Sequence, residues 1–255
     1  MNHMFMAFQR QKKYKQTVLP SNEVHLWLIS IIALEDRLKD LSNLLSEEEI
    51  KRAKRFHFEK DQKRYIATRS MLRKILSDYC QSEPEAQKFG SNQYGKPYLR
   101  DNGWLRFNIS HSGDKILFGF TRNRELGVDI EYIKPFKNAH QIVERYFSDH
   151  EKAQFKSLPE HMKNKAFFSC WTRKEAYIKA LGKGMSLPLD EFTVDFWPGT
   201  SACLLDTQHD IGQKERWTLQ EIQVGENYVA AVSVEGKNMH FMKKWGFSHI
   251  DDTIF

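Results

Sequence analysis

Apolar positions along the chain come in short runs separated by long stretches of helical periodicity. The first sustained run, Val24-His-Leu-Trp-Leu-Ile-Ser-Ile31, predicts a buried strand. Ser46-Glu-Glu-Glu follows, a capping-box pattern whose acidic residues suit a helix N-terminus, and predicts a helix over 46–56. A longer helix is predicted over 60–81, with an apolar face at Tyr65, Leu72, Ile75, Leu76 and Tyr79. Strands are predicted over 105–110, 115–121 and 126–132, and Pro135 helps end this first unit. Helices over 138–146, 148–157 and 161–181 open a second unit, which strands over 191–197, 216–224 and 227–235 close. Residues 237–255 read as a C-terminal extension, partly helical around Met239 to Trp245. The pattern is α+β in two halves without a repeat visible in the sequence: a basic tail over 1–19, then units over 20–134 and 135–255.

Two of these elements carry chemistry. In the predicted strand Leu126-Gly-Val-Asp-Ile-Glu131, the period of two puts the carboxylates of Asp129 and Glu131 side by side on one face. Their repulsion would be relieved by a cation. In the predicted helix, Phe168, Trp171, Glu175 and Ile178 follow one apolar face, and Lys179 stands one turn beyond Glu175. A carboxylate among apolar neighbours calls for a raised pKa, a cationic partner or a metal, and hard oxygen donors suit magnesium. Each feature alone has a plainer reading. Asp-x-Glu on a strand edge is commonly a solvated face, and Glu175 with Lys179 reads equally as an i, i+4 surface pair.

Composition narrows the classes. At 255 residues, with 40% hydrophobic and 13% aromatic content, the chain can bury a sizeable core. Its net charge of +6 is uneven. Between Lys51 and Lys74 ten Lys/Arg face only Glu59 and Asp61, and Arg10, Lys12, Lys13 and Lys15 add four more cations. The basic first half therefore favours an anionic partner. Nucleic acid fits less well: no zinc-finger spacing, RNP-like strand or basic zipper is present, and the basic helix has an apolar face that docks on a core. Cys80, Cys170 and Cys203 form no Cys-x-x-Cys pair and suit a reducing cytosol. Met1 to Phe8 is too short for a signal-peptide core, and no run reaches the length of a membrane span, so a cytoplasmic protein without a membrane partner is expected.

At Gly-Val-Asp-Ile-Glu and Trp-x-x-Lys-Glu-Ala the chain resembles the surfactin-synthetase-type (Sfp-like) 4′-phosphopantetheinyl transferases. Phe107-Asn-Ile-Ser-His-Ser-Gly113, Tyr94-Gly-Lys-Pro97 and Gly182-Lys-Gly-Met-Ser-Leu-Pro-Leu189 resemble further blocks of that family, in the same order, over about Arg52 to Val194. The resemblance implies two similar α+β halves related by a pseudo-twofold, with coenzyme A in the cleft between them and the fused chain acting as a monomer. It implies transfer of the phosphopantetheine arm of coenzyme A to a serine of an apo acyl or peptidyl carrier protein, with release of adenosine 3′,5′-bisphosphate. Asp129, Glu131 and Glu175 would then hold Mg²⁺, with Mn²⁺ as an alternative. Glu175 would be the general base and Lys179 would meet the departing phosphate. His111, Ser110, Lys96, Arg64 and Arg52 would bind the nucleotide end.

The match departs from the family at one place. Two basic residues three apart are expected before the Arg-Phe pair; Arg52 occupies the second position, but Glu49 the first. Lys51 and Arg55 are not carried over in its stead. A rival reading keeps the fold and drops the reaction, leaving a non-catalytic module that binds coenzyme A or a carrier protein. Retention of Asp129, Glu131, Glu175 and Lys179 together argues against it.

Overall fold

Alternation along residues 24–29 decides how the layers stack. Val24 and Leu26 point to one side, into an apolar layer with Leu126, Val128, Ile130, Val232 and Val234. Trp27 and Ile29 point to the other side, into a core with Met71, Leu72, Ile75 and Leu76. One strand thus separates two cores. The structure, a computed structural model, describes residues 17–208, 210 and 212–246. Its strands are β1 (Glu23–Ser30), β2 (Phe89–Ser91), β3 (Pro97–Leu99), β4 (Leu105–Ser112), β5 (Lys115–Arg122), β6 (Leu126–Tyr132), β7 (Phe192–Val194), β8 (Leu204–Thr207), β9 (Trp217–Glu221), β10 (Tyr228–Glu235) and β11 (His240–Trp245). Its α-helices are α1 (Leu38–Leu41), α2 (Glu47–Ala53), α3 (Glu59–Cys80), α4 (Ala139–Tyr146), α5 (Asp149–Ser157), α6 (Glu160–Leu181) and α7 (Gln213–Arg216).

A four-stranded sheet, in the order β11-β1-β5-β4, packs one face on α3 and the other on a three-stranded sheet, β6-β10-β9. The far face of the second sheet carries α6, with Val229 and Ala231 of β10 in the same core as Ala176 and Ala180. The result is a four-layer stack, helix on sheet on sheet on helix, which is the α+β class expected from the pattern. Both 22-residue helices end on a residue in the left-handed region, Gln81 after α3 and Gly182 after α6. The hairpins β2-β3 and β7-β8 lie outside the two main sheets.

Four expectations need correction. The strand carrying Asp129 and Glu131 was expected to complete the first unit, but β6 pairs with β10, setting Asp129 opposite Ala231 and Glu131 opposite Val229. Its inward residues Leu126, Val128 and Ile130 fill the layer between the sheets, which period-two alternation alone does not assign to either sheet. Residues 240–245, expected to be partly helical, form β11, parallel to β1 from Glu23↔His240 onward. The unpaired edge of β1 and the packing of Phe241 on the inter-sheet layer override a weak local preference. The strand expected over 105–110 continues to Ser112. The 191–197 strand is cut to Phe192–Val194, because the chain turns back at Thr200, whose N–H donates to the Trp197 carbonyl. The expected tail up to position 16 and residues 247–255 of the extension lie outside the described residues.

Candidate active site

β6 is the edge strand of its sheet, and side chains of β4 close that edge. The Val128 N–H donates to Asn108 Oδ1 at 2.9 Å, the Ile130 N–H to Ser110 Oγ at 3.3 Å and the Tyr132 N–H to Ser112 Oγ at 3.0 Å. Three alternate polar side chains thus stand in for a missing strand, satisfying donors that would otherwise be costly to bury. The same hydroxyls reach the carboxylates. Ser110 donates to Asp129 Oδ1 at 2.8 Å, and Ser112 to Glu131 Oε2 at 2.8 Å. Ser110, expected at the nucleotide end, lies inside β4 with its hydroxyl engaged by protein. The signal for this is the period-two Asn-x-Ser-x-Ser itself, which continues the strand alternation past Ile109.

α6 lies directly against this strand. A Cβ built on Gly127 would come within 2.1 Å of the Ala176 carbonyl oxygen and 2.3 Å of the Ala180 nitrogen, so the helix can approach only because residue 127 has none. That approach brings Lys179 Nζ to 2.6 Å from Asp129 Oδ1 and 3.2 Å from Ser110 Oγ. Burial pushes the Glu175 carboxyl above the usual carboxylate range, Asp129 and Glu131 add to the rise, and Lys179 opposes it. Glu131 is raised as well, first by burial and further by Asp129, against the hydrogen bond from Ser112 and the charge of Lys179. Three carboxylates and one ammonium therefore form a coupled group where β6 meets α6.

Several groups hold this junction. Lys174, one position before Glu175, is completely buried with Glu151, Nζ to Oε2 at 2.7 Å, and also donates to the Leu189 and Phe192 carbonyls at 2.8 and 2.6 Å. Asn92 donates to the Gly182 carbonyl at 2.8 Å and accepts from the Tyr94 and Lys96 N–H groups, fixing the 92–96 turn to the end of α6. Lys96 Nζ bonds Glu125 at 2.7 Å, the Ala180 carbonyl at 3.0 Å and the Leu126 carbonyl at 3.1 Å. Its ammonium, expected on the nucleotide, is tied to protein acceptors at the C-terminal end of α6, where a cation is favoured. Asn108, Ser112, Gly127 and Asn92 were not singled out from the sequence.

Other expected site residues surround this centre. His111 follows Ser110 on β4; its pKa is depressed by the protein around it and by the positive charges of Arg64 and Lys179. Arg64 is itself paired with Asp61 at 2.7 Å. A cavity of about 300 Å³ opens beside Glu175 and Lys179, bounded by Asn108, Ile109 and the 94–97 turn. Arg52 lines a separate, larger cavity of about 870 Å³.

The donor set is chemically suited to a hard cation. It offers only carboxylate oxygens, and Asp129 Oδ2 is buried with no hydrogen-bond partner. Among the described residues no three His, Cys, Asp or Glu side chains stand close enough together to hold an ion, and Lys179 occupies Asp129 Oδ1. What the arrangement offers chemically is acidic groups raised by burial, a lysine within reach and an adjoining cleft, a combination that can serve phosphoryl-type chemistry.

Comparison with known proteins gives that class a family. A model described as the 4′-phosphopantetheinyl transferase superfamily matches residues 125–233, and one described as 4′-phosphopantetheinyl transferase, N-terminal, matches residues 33–119. The chain is 39% identical over 221 residues to the 4′-phosphopantetheinyl transferase HetI of Nostoc sp., covering 86% of this chain and 90% of that protein. It is 33% identical to the 4′-phosphopantetheinyl transferase psf-1 of Bacillus pumilus, covering 72% of this chain and 80% of that one. The corresponding values for Sfp of Bacillus subtilis are 33% identity over 60% of this chain and 66% of that protein. A holo-(acyl-carrier-protein) synthase structure from Bacillus anthracis overlays on 44% of this chain and 96% of its own at 21% identity and a TM-score of 0.36, too slight a likeness to bear on the site. The chain belongs to the 4′-phosphopantetheinyl transferase family, and it is an enzyme of that family.

Proposed function

We propose that this enzyme carries the 4′-phosphopantetheine arm of coenzyme A to a serine hydroxyl of an apo acyl or peptidyl carrier protein, in a Mg²⁺-dependent reaction that releases adenosine 3′,5′-bisphosphate. The observation that carries the reading is the coupled group Asp129, Glu131, Glu175 and Lys179 at the β6–α6 junction, beside a cleft, in a member of this family. Asp129, Glu131 and Glu175, which do not close around an ion in this arrangement with Lys179 on Asp129, would hold the cation by drawing together, and the cation would supply positive charge for the pyrophosphate.

The chain's own groups account for the rest. Glu175, with its raised pKa, is suited to accept the serine proton near neutral pH, directly or through a water. Lys179 meets the leaving phosphate; until then its ammonium is held by Asp129 and Ser110. His111, with Arg64 close by, and Arg52 supply contacts for the nucleotide end. Mn²⁺ would serve in place of Mg²⁺. No helix among the described residues is long and apolar enough to cross a membrane. We take the enzyme to act as a monomer in the cytoplasm, in keeping with two halves fused in one chain.

Intact-protein mass spectrometry of an apo carrier domain incubated with the enzyme, coenzyme A and Mg²⁺, with an EDTA control, tests this. A metal-dependent gain of one phosphopantetheine group is expected. No gain on any of several carriers would overturn the reading.

A further inference from the structure

Gly95 and Pro97 line both the cavity beside Glu175 and the larger cavity on the far side of the 94–97 turn, so the two adjoin. The larger one is bounded by α2, α3 and the β2-β3 hairpin. Five Lys/Arg side chains line it against three glutamates, a surplus of two positive charges. That is the charge of a phosphate monoester dianion, and a molecule long enough to pass the turn would reach from one cavity into the other.

Glu49 organises this cavity. It is buried, closes the capping box of α2 with Ser46, and accepts from two arginines of α3. Burial alone would raise its carboxyl, but the bonds from Arg73 and Arg69 outweigh that and hold it below the usual range. The two arginines differ in what they have left. Arg73 is almost fully enclosed, with Nε on Glu49 Oε2 at 2.8 Å and Nη1 on the Pro84 and Gln87 carbonyls at 2.8 and 3.1 Å. Arg69 gives Nε and Nη2 to Glu49 Oε1 and lies 4.1 Å from the centroid of the Phe89 ring, which fixes its plane. Its Nη1 has no protein acceptor among the described residues, and its side chain is 18% exposed, at the cavity wall. Arg52 makes no ion pair among the described residues and stands over the Tyr65 ring on the same wall.

We propose that Arg69, aimed by Glu49 and backed by Phe89, binds the 3′-phosphate of coenzyme A together with Arg52. This rests on the transferase reading above. At position 49 a basic residue was expected from the family pattern; here the carboxylate in its place recruits the cation from α3, twenty residues further on. An arginine held on one edge by a carboxylate and on its face by an aromatic ring is pre-organised for a second anion on its remaining edge.

Calorimetry of the full-length protein with coenzyme A and with 3′-dephospho-coenzyme A tests the assignment. The wild-type protein should bind coenzyme A more tightly. Arg69→Gln should weaken coenzyme A roughly tenfold to a hundredfold, the range for a hydrogen bond to a charged group, and leave the dephospho ligand unchanged. Should Arg69→Gln unfold, as thermal melting would show, Arg69→Lys keeps a charge beside Glu49 but loses the fork, and should show a smaller loss with the same selectivity. Equal weakening of both ligands, no weakening of either, or wild-type binding that ignores the 3′-phosphate would each overturn the proposal. Absence of transfer to any carrier with ligand selectivity intact would count against the reaction and leave Arg69 in place.

Discussion

Lys174 and Lys179 leave the same helix five residues apart, and each forms a short contact with a carboxylate, yet the two pairs have opposite characters. Lys174 and Glu151 are wholly enclosed, and the ammonium also satisfies two loop carbonyls. Lys179 keeps 28% of its side chain exposed, while its partner Asp129 is nearly buried and has one oxygen without any partner. A closed pair with every hydrogen-bonding group used can only hold the fold together. A pair with an orphaned oxygen, one solvent-facing cation and two more carboxylates in electrostatic range has capacity left for a ligand. The difference shows how α6 anchors itself to one half of the molecule while offering its other side to chemistry.

That contrast breaks most visibly at the open end. Asp129→Ala and Glu175→Ala should each lower transfer by about a thousandfold, the scale of losing a preorganised electrostatic group, while the melting temperature stays near wild type. The carrier assay and a thermal melt on the same samples check both halves of the statement. Lys174→Met should do the reverse and cost about 3–5 kcal/mol of stability by stranding the Glu151 carboxylate, as read from denaturant unfolding. Gly127→Ala tests the close contact of β6 with α6. Its added methyl collides with helix backbone, so a loss of roughly 1–3 kcal/mol is expected, with turnover falling as Glu175 and Lys179 shift. Asn108→Ala should cost about 1–3 kcal/mol by orphaning the buried Val128 N–H, with faster amide exchange along β6.

The smallest expected effect concerns pH. The folded-state pKa values of Glu131 and Glu175 lie above those of the unfolded chain, so their contribution to stability is present at low pH and lost as pH rises through the raised values. Mg²⁺ should offset that loss, raising the melting temperature by a few degrees at about pH 8 and less at about pH 5. An equal shift at both would separate any bound cation from these carboxylates.

Legibility in the sequence followed the range of the interactions. Helix starts with strong local signals lie within a residue of expectation, as with Asp149–Ser157 behind its Ser148 cap and the 22 residues of α6, whereas the capped helix expected over 46–56 starts on cue but ends at Ala53. Leu126–Tyr132 has the expected bounds because period-two alternation is local. Its neighbours in the sheet were not legible, because strand partnership depends on which layer buries Val128 and Ile130. β11 was missed for the same reason: its conformation is supplied by β1. At the site, Asp129, Glu131, Glu175 and Lys179 were named as a group; in the structure Lys179 contacts Asp129, and the three carboxylates feel one another's charge without enclosing an ion. Lys96 and Ser110, named for the nucleotide, are engaged by protein atoms, across 84 residues in the case of Lys96 and Ala180. Glu49 appeared as a gap in a pattern, whereas its partners on α3 make it the centre of a cluster.

The two sheets each hold a strand from the other's stretch of chain, and this has a consequence for biosynthesis. β1 is made early and β11 late, so one edge of the first sheet stays uncovered until residue 240 and those after it have been synthesised. An open apolar edge waiting for a distant segment is a template for pairing with other chains, and it is the stage at which aggregation competes with folding. Severing the protein near position 134 would leave the same weakness permanently, with β10 parted from β6 and β1 from β11.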